Sequence, residues 1–243
     1  MMKKSTFLFV VILLVGFGAS CRKEQDRTIA LGETTGMMVT VYDSTYIGLG
    51  ETMKLDIDGD GEDDLKIRSY YDGPHMESTQ ILTLHCLNDE IALRCEMKKK
   101  ESYQHFDTIV EEYAGILGVL YLSVYNSCEP MGENDVIQNV NALMPSASDA
   151  GDLVSVDDFF QSKVITLFRE DIQEARLDHV SNDTSYFYRS VYLYQCDNFP
   201  TNAEKYIGIK LTKDGMTRLG WLKINLIGAS VVYPQLIEIA IQK

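Results

Sequence analysis

The chain has 243 residues, of which 36 are acidic and 22 basic, giving a formal net charge of −14. Nucleic-acid binding depends on neutralising phosphates with Lys and Arg, so this balance excludes nucleic acid as the natural partner and disfavours anionic lipid headgroups. Divalent cations are the expected counterions, and the length suits one large domain or two small ones.

The chain opens MMKKSTFLFVVILLVGFGASC, in which Lys3 and Lys4 precede an apolar run from Phe7 to Phe17 that ends in small residues and a cysteine. That is the layout of a bacterial export signal. The run is about half of the roughly 20 residues that a helix needs to cross a hydrocarbon core, so cleavage is expected in place of a permanent span. Gly18-Ala19-Ser20-Cys21 resembles the lipobox of bacterial lipoproteins, where the signal is removed just before a cysteine that then carries lipid. The resemblance implies a signal peptide over residues 1–20, a diacylglyceryl or palmitate anchor on Cys21, and attachment to the outer membrane or cell surface through that lipid. An ordinary export signal with the same small residues is the alternative. Loss of Lys3 and Lys4 makes the remaining chain two charges more negative.

Residues 21–36 are polar and lack a period, so they read as a flexible tether, followed by a single domain over 37–243. Within that domain apolar residues recur mostly at spacing two, as in MKLDI, LKIRSYY, QILTLHC, EIALRCEM and GVLYLSVY, and later in SVYLYQC, YIGIKL, GWLKINLIG and QLIEIAI. Period two puts alternate side chains on opposite faces, the mark of half-buried strands. Gly, Asn and Asp punctuate them at LGE, YDGP, LNDE and KDG. Two stretches, VIQNVNALM and FREDIQEARLDH, are expected as short helices. The fold expected is all-β, an antiparallel, jelly-roll-like sandwich with one or two short helices.

The most informative stretch is MKLDIDGDGEDDLKIRS, Met53 to Ser69. Counted from Asp56, carboxylates fall at positions one (Asp56), three (Asp58), five (Asp60), eight (Asp63) and nine (Asp64), with Gly61 at six. Calcium takes six to eight oxygens at about 2.3–2.6 Å, and aspartates at alternate positions of a tight loop converge on one point where a glycine lets the chain turn. Glu62 at seven would lend its backbone carbonyl. Position twelve is Ile67 where an EF-hand has its bidentate glutamate, and the flanks alternate as strands where an EF-hand has helices. The pattern D-x-D-G-D-G-x-x-D is similar to the calcium loops of integrin-type and other extracellular repeats, which match at Asp56, Asp58, Asp60 and Asp64. A solvated acidic turn is the plain alternative, but mutual repulsion of so many carboxylates disfavours an ordered loop with no cation. A structural Ca²⁺ is expected, with an affinity of about 10⁻⁴–10⁻³ M.

Four cysteines follow the lipid site: Cys86, Cys95, Cys128 and Cys196. An even count in an exported chain suggests two disulfides. If LNDE turns a hairpin at Asn88-Asp89, Cys86 faces Ile91 and Cys95 lies four residues further on, about 13 Å by strand rise. That exceeds disulfide reach, so pairing with Cys128 or Cys196 is expected for each; buried free thiols are the alternative.

The four histidines show no H-E-x-x-H spacing, and neither a G-x-S-x-G elbow nor a phosphate-cradling loop occurs. Glu111-Glu112 and Asp157-Asp158 read as charged surface rather than acid–base pairs. Tyr186, Tyr188, Tyr192 and Tyr194 share one parity and, with Trp221, could stack on sugar rings; an aromatic core face is the competing reading.

The segment KYIGIKLTKDGMTRLGWLKINLIGASVVYPQLIEIAIQK is similar to the closing strands of uncharacterised bacterial surface lipoproteins, with Tyr206, Gly208, Gly215, Gly220 and Trp221 matching. Many of these proteins also carry a D-x-D-G-D-G loop near the start of the domain. The resemblance implies a β-sandwich on a lipid tether. The function expected is a non-catalytic, calcium-stabilised binding or structural module of the cell envelope, with a glycan or a surface protein as candidate ligand. The rivals are a carbohydrate-binding lipoprotein and a glycan-active hydrolase, which would need two carboxylates facing each other about 5–9 Å apart.

Overall fold

The computed structural model describes residues 27–73, 78–113, 116–127, 132–133, 135–173, 179–181, 184–194, 199–228 and 231–243. The strands in the first half are β1 (Thr28–Ala30), β2 (Met37–Tyr46), β3 (Thr52–Leu55), β4 (Leu65–Asp72), β5 (Ser78–Cys86), β6 (Ile91–Tyr113), β7 (Ile116–Ser127) and β8 (Val136–Pro145). Those in the second half are β9 (Leu153–Ser155), β10 (Phe160–Gln161), β11 (Val164–Gln173), β12 (His179–Ser181), β13 (Thr184–Tyr194), β14 (Glu204–Lys213), β15 (Met216–Gly228) and β16 (Val232–Gln242).

The main sheet runs β2-β16-β15-β14-β6-β7-β13-β11-β5-β4-β3, with β8 and β10 also on β6 and β12 on β13. Its pairings are antiparallel except β7 with β13, where Tyr186 lies beside Leu120 in a parallel register. β6 is the strand that passes between layers: Ile91 to Leu93 pair with β14, whereas Tyr103 to Tyr113 pair with β7. The sheet therefore folds over on itself and buries one apolar face against the other.

Alternation carries the core. Ile207, Ile209 and Leu211 of β14, Leu222, Ile224 and Leu226 of β15, and Ile91, Leu93 and Cys95 of β6 face inward from one layer. Leu65 and Ile67 of β4, Leu82 and Leu84 of β5, and Ile165, Leu167 and Phe168 of β11 meet them from the other. Gln80 ties the layers polar to polar, accepting from Val232 N at 3.0 Å and donating to the Val232 carbonyl. On the outer face of β14 and β15 a second cluster holds Trp221, Tyr206, Leu219, Ile29, Leu31 and Val154, covered by the β1–β9 ribbon in which Ile29 lies opposite Val154.

The sandwich is as the alternation predicts, but three local expectations change. Both expected helices are strands where described: Val136 to Met144 lie in β8, and Phe168 to Gln173 in β11. Partner strands β6, β5 and β13 offer them continuous backbone pairing, which outweighs the weak helical propensity of sequences with no apolar stripe. The packed body also begins before Met37, because β1 pairs with β9 and Leu31 is 1% exposed; residues 27–36 of the expected tether are built into the fold. Finally, LNDE makes a corner and not a hairpin. Asn88 Oδ1 accepts from the amides of Glu90 and Ile91, and the chain leaves β5, which pairs with β4 and β11, to enter β6 beside β14.

Candidate metal centre

The acidic stretch is the loop of the β3–β4 hairpin, closed by the Leu55–Leu65 pair and a bond from Asp64 N to Leu55 O of 2.8 Å. Strands on both sides are what its flanks predict. Ile57 is buried and pins the loop's first turn to the core. Gly59 and Gly61 have φ of +75° and +94°, a region costly for other residues, so the chain can wind tightly around its own carboxylates.

The winding is held by backbone amides. Asp56 Oδ1 accepts from Gly59 N at 2.7 Å and Asp56 Oδ2 from Gly61 N at 2.8 Å. Asp64, 3% exposed, accepts from Ile57 N at 2.9 Å through Oδ2 and from Asn88 Nδ2 at 3.0 Å through Oδ1. These bonds orient the two carboxylates and use one acceptor direction of each oxygen, leaving others free. Asp58 reaches inward between them, its side chain only 5% exposed. One carboxylate oxygen from each of Asp56, Asp58 and Asp64 lies within 4.8 Å of the others, so this triad could hold a metal ion.

The β14–β15 hairpin supplies what the loop's sequence does not show. Arg218 lies opposite Leu211 in register, and Leu211 belongs to the inner core; Lys213, two residues along, keeps the same parity. Both cations therefore emerge at the mouth of the sandwich and meet the acidic loop. Arg218 Nη2 donates to Asp58 Oδ2 at 2.9 Å and Lys213 Nζ to the same oxygen at 3.2 Å. Lys213 also bonds Asp60 Oδ2, and Asp60 holds the ammonium well above the usual lysine range, with Asp58 adding to it. In return Lys213 lowers the carboxyl of Asp60, assisted by the Glu62 amide. Asp63 pairs with Lys54 at 2.8 Å on the exposed side.

The structure thus brings Asp56, Asp58 and Asp64 together and turns the carboxylate of Asp60 to Lys213. The exposed Glu62 gives its amide to Asp60 Oδ1 at 2.8 Å. One buried atom stands out: Asp58 Oδ1 has no hydrogen-bond partner, while Oδ2 of the same group has two cationic donors. Lys213, Arg218 and Asn88 escape the sequence reading. Lys213 is detectable only as the residue before the Asp214-Gly215 turn, and nothing local says which loop that turn meets.

Other candidate sites resolve differently. Trp221 is fully buried, its ring edge-on to Tyr206 at 5.2 Å and its Nε1 donating to Glu33 O at 3.2 Å, so it is core and no part of an exposed stacking platform. Asp157 and Asp158 pair with Arg27 and Arg94 at 2.8 and 3.0 Å. Cys21, Cys128 and Cys196 lie outside the described residues, as do the side chains of Tyr186, Tyr188, Tyr192, Tyr194, Glu111 and Glu112. No protein-family model matches the chain, and no significant match was found among curated proteins or solved structures.

Proposed function

We propose that this chain is a calcium-stabilised β-sandwich, lipid-anchored in the bacterial cell envelope, acting as a binding or structural module rather than a catalyst. The observation that carries the calcium reading is the grouping of one carboxylate oxygen from each of Asp56, Asp58 and Asp64, in a loop where Asp58 Oδ1 is buried and unpartnered. A buried carboxylate oxygen without a partner is costly. Oxygens bound to one calcium at about 2.4 Å lie no more than about 4.8 Å apart, so the triad fits without opening. Calcium would supply a fixed double charge there, and the chain's own part is to hold Asp56 and Asp64 by amides. Magnesium prefers shorter, strictly octahedral bonds and keeps its waters, which suits a cage with an inward-facing aspartate less well.

Lipid attachment rests on the leader and Gly18-Ala19-Ser20-Cys21, and a role in adhesion or scaffolding on the resemblance of the closing strands to surface lipoproteins. A static ion is the reading that the amide-held Asp56 and Asp64 favour, with Arg218 and Lys213 competing for Asp58 on one side. The experiment is titration calorimetry of calcium into chelator-treated protein, alongside expression with a labelled fatty acid in the native chain and in Cys21→Ser. Heat with a dissociation constant at or below about 1 mM, and label that Cys21→Ser loses, support the proposal. No heat up to several millimolar calcium reduces the loop to an acidic turn, and equal label in both chains removes the lipid site.

A further inference from the structure

We infer that the outer face of the β3-β4-β5-β11 layer is a binding surface for a linear acidic polysaccharide of the polyuronate class, with Lys66 and Arg68 as its anion-binding residues. Leu65 and Ile67, Leu82 and Leu84, and Ile165 and Leu167 turn into the core, so the residues that alternate with them face outward. The pairing registers set those residues in two rows that cross the strands. Lys54, Lys66, His85 and Val164 make one row, and Thr52, Arg68, Thr83 and Thr166 make the next. Neighbours within a row are about 5 Å apart, and the two rows are about 7 Å apart.

Like charges directly opposite on neighbouring strands repel, and Lys54 lies opposite Lys66 although the chain as a whole carries a net charge of −14. Asp63 relieves Lys54 at 2.8 Å. Among the described residues no carboxylate pairs with Lys66 or Arg68; the Arg68 guanidinium stands 5.6 Å from the centre of the Tyr70 ring. His85, next to Lys66 in its row, has its imidazole held below the usual range by burial, then by Lys66 and Arg68. At pH 7 it is therefore neutral and, bonded to Thr83 Oγ1 at 2.8 Å, adds a polar group without adding charge.

An anion laid over Lys66 and Arg68 offsets that repulsion, and the rest of the face decides which anion. Four strands span about 14 Å, and charges more than a Debye length away, about 8 Å at physiological salt, are largely screened. A slender polyanion lying along the rows feels mainly Lys54, Lys66 and Arg68, whereas a bilayer or an acidic protein meets the negative charge of the whole chain. Two cations beyond the Lys54–Asp63 pair suit a polymer with one carboxylate on each unit, and the threonine hydroxyls of the second row match the ring hydroxyls that each such sugar carries. The strand spacing, about 4.8 Å, is close to the length of one sugar unit in an extended polysaccharide. Single-stranded nucleic acid needs open aromatic faces for its bases, and here Arg68 stands over the ring of Tyr70.

The test measures binding of the full chain to immobilised polygalacturonate, beside neutral dextran, oligothymidylate, polyglutamate and vesicles of phosphatidylglycerol in phosphatidylcholine. No calcium is added, so its outcome is separate from that of the calcium titration. Saturable binding to polygalacturonate is expected, absent on dextran and lost between about 0.1 M and about 1 M salt as the Debye length falls from about 10 Å to about 3 Å. Lys66→Gln and Arg68→Gln should each raise the Kd by about 2–5-fold, and the double variant by more than either. Lys98→Gln, which removes the same charge from β6 where Lys98 pairs with Glu96, should leave it unchanged. Because Lys66 and Arg68 lie beside other cations, their variants should melt at or slightly above the native temperature, which separates loss of binding from loss of fold. No binding to polygalacturonate at about 0.1 M salt, equal binding by the double variant, or tighter binding to oligothymidylate, polyglutamate or the vesicles would overturn the assignment.

Discussion

Arg218 Nη2 donates to Asp58 Oδ2 at 2.9 Å, joining residues 160 positions apart and clamping the β14–β15 hairpin onto the acidic loop of β3–β4. Both side chains are largely buried, at 21% and 5% exposure. Removing one partner of such a pair strands the other charge. Arg218→Met should therefore destabilise the metal-free protein by about 1–3 kcal/mol, less than a fully orphaned ion because Lys213 remains. Thermal melts in chelator should show a fall of roughly 2–12 °C. With the competing cation gone, the calcium dissociation constant should drop several-fold, and the deficit should shrink in saturating calcium. A melt unchanged in chelator would mean that the ion pair contributes nothing net.

Calcium at ten times its dissociation constant should stabilise the protein by about 1.4 kcal/mol through mass action, a rise of about 3–6 °C. Asp58→Ala should abolish that rise, and Glu62→Ala should leave most of it. The sign of the metal-free effect is informative. If repulsion among carboxylates dominated, deleting Asp58 would stabilise the loop; because Asp58 accepts from Arg218 and Lys213, its loss leaves two cations facing each other and should lower the melting temperature. A differential scan of both variants with and without calcium separates these outcomes.

The loop was legible because its information is local: Asp at alternate positions, Gly59 and Gly61 where φ is positive, and strand alternation on both sides. The cations that meet it were not, since Lys213 and Arg218 arrive through a register set more than 150 residues away. The same division explains the strands. Ile207, Ile209 and Leu211 announce a buried face by parity alone, whereas Val136–Pro145 becomes a strand because β6 is there to pair with it. The β5–β6 corner was missed for a related reason. LNDE carries ordinary turn chemistry, and whether the next strand folds back or crosses layers depends on β14 occupying the neighbouring position.

Glu170 on β11 is half-buried opposite Gln80 of β5, and burial raises its carboxyl above the usual value. A raised carboxyl favours the folded state most when protonated. Its favourable contribution is complete below the unfolded value near pH 4.3 and is lost as pH rises through the folded one. Glu170→Gln keeps the shape without the charge. Relative to the native chain it should raise the melting temperature at pH 7 and have little effect at pH 4. Paired melts across that range check the sign; a gain that is equal at both ends would point to packing and not ionisation.

Trp221, the one tryptophan of the chain, tests whether the aromatic residues of the closing strands serve a ligand or the core. A surface ring that stacks on sugars could be deleted with a stability change within about 0.5 kcal/mol. The geometry argues otherwise: the indole is fully buried beneath Leu31 and Val154, meets Tyr206 edge-on at 77°, and donates to the Glu33 carbonyl. Trp221→Ala should leave a cavity and cost about 3–5 kcal/mol, or roughly 6–20 °C in melting temperature. Its fluorescence in the native protein should be blue-shifted, shielded from iodide and indifferent to added sugars. Deleting residues 27–36 should red-shift that emission, because β1, Leu31 and the Glu33 carbonyl form its cover. Quenching by iodide in the intact chain, or an alanine variant that melts with the native protein, would return Trp221 to the surface and to the candidate stacking residues.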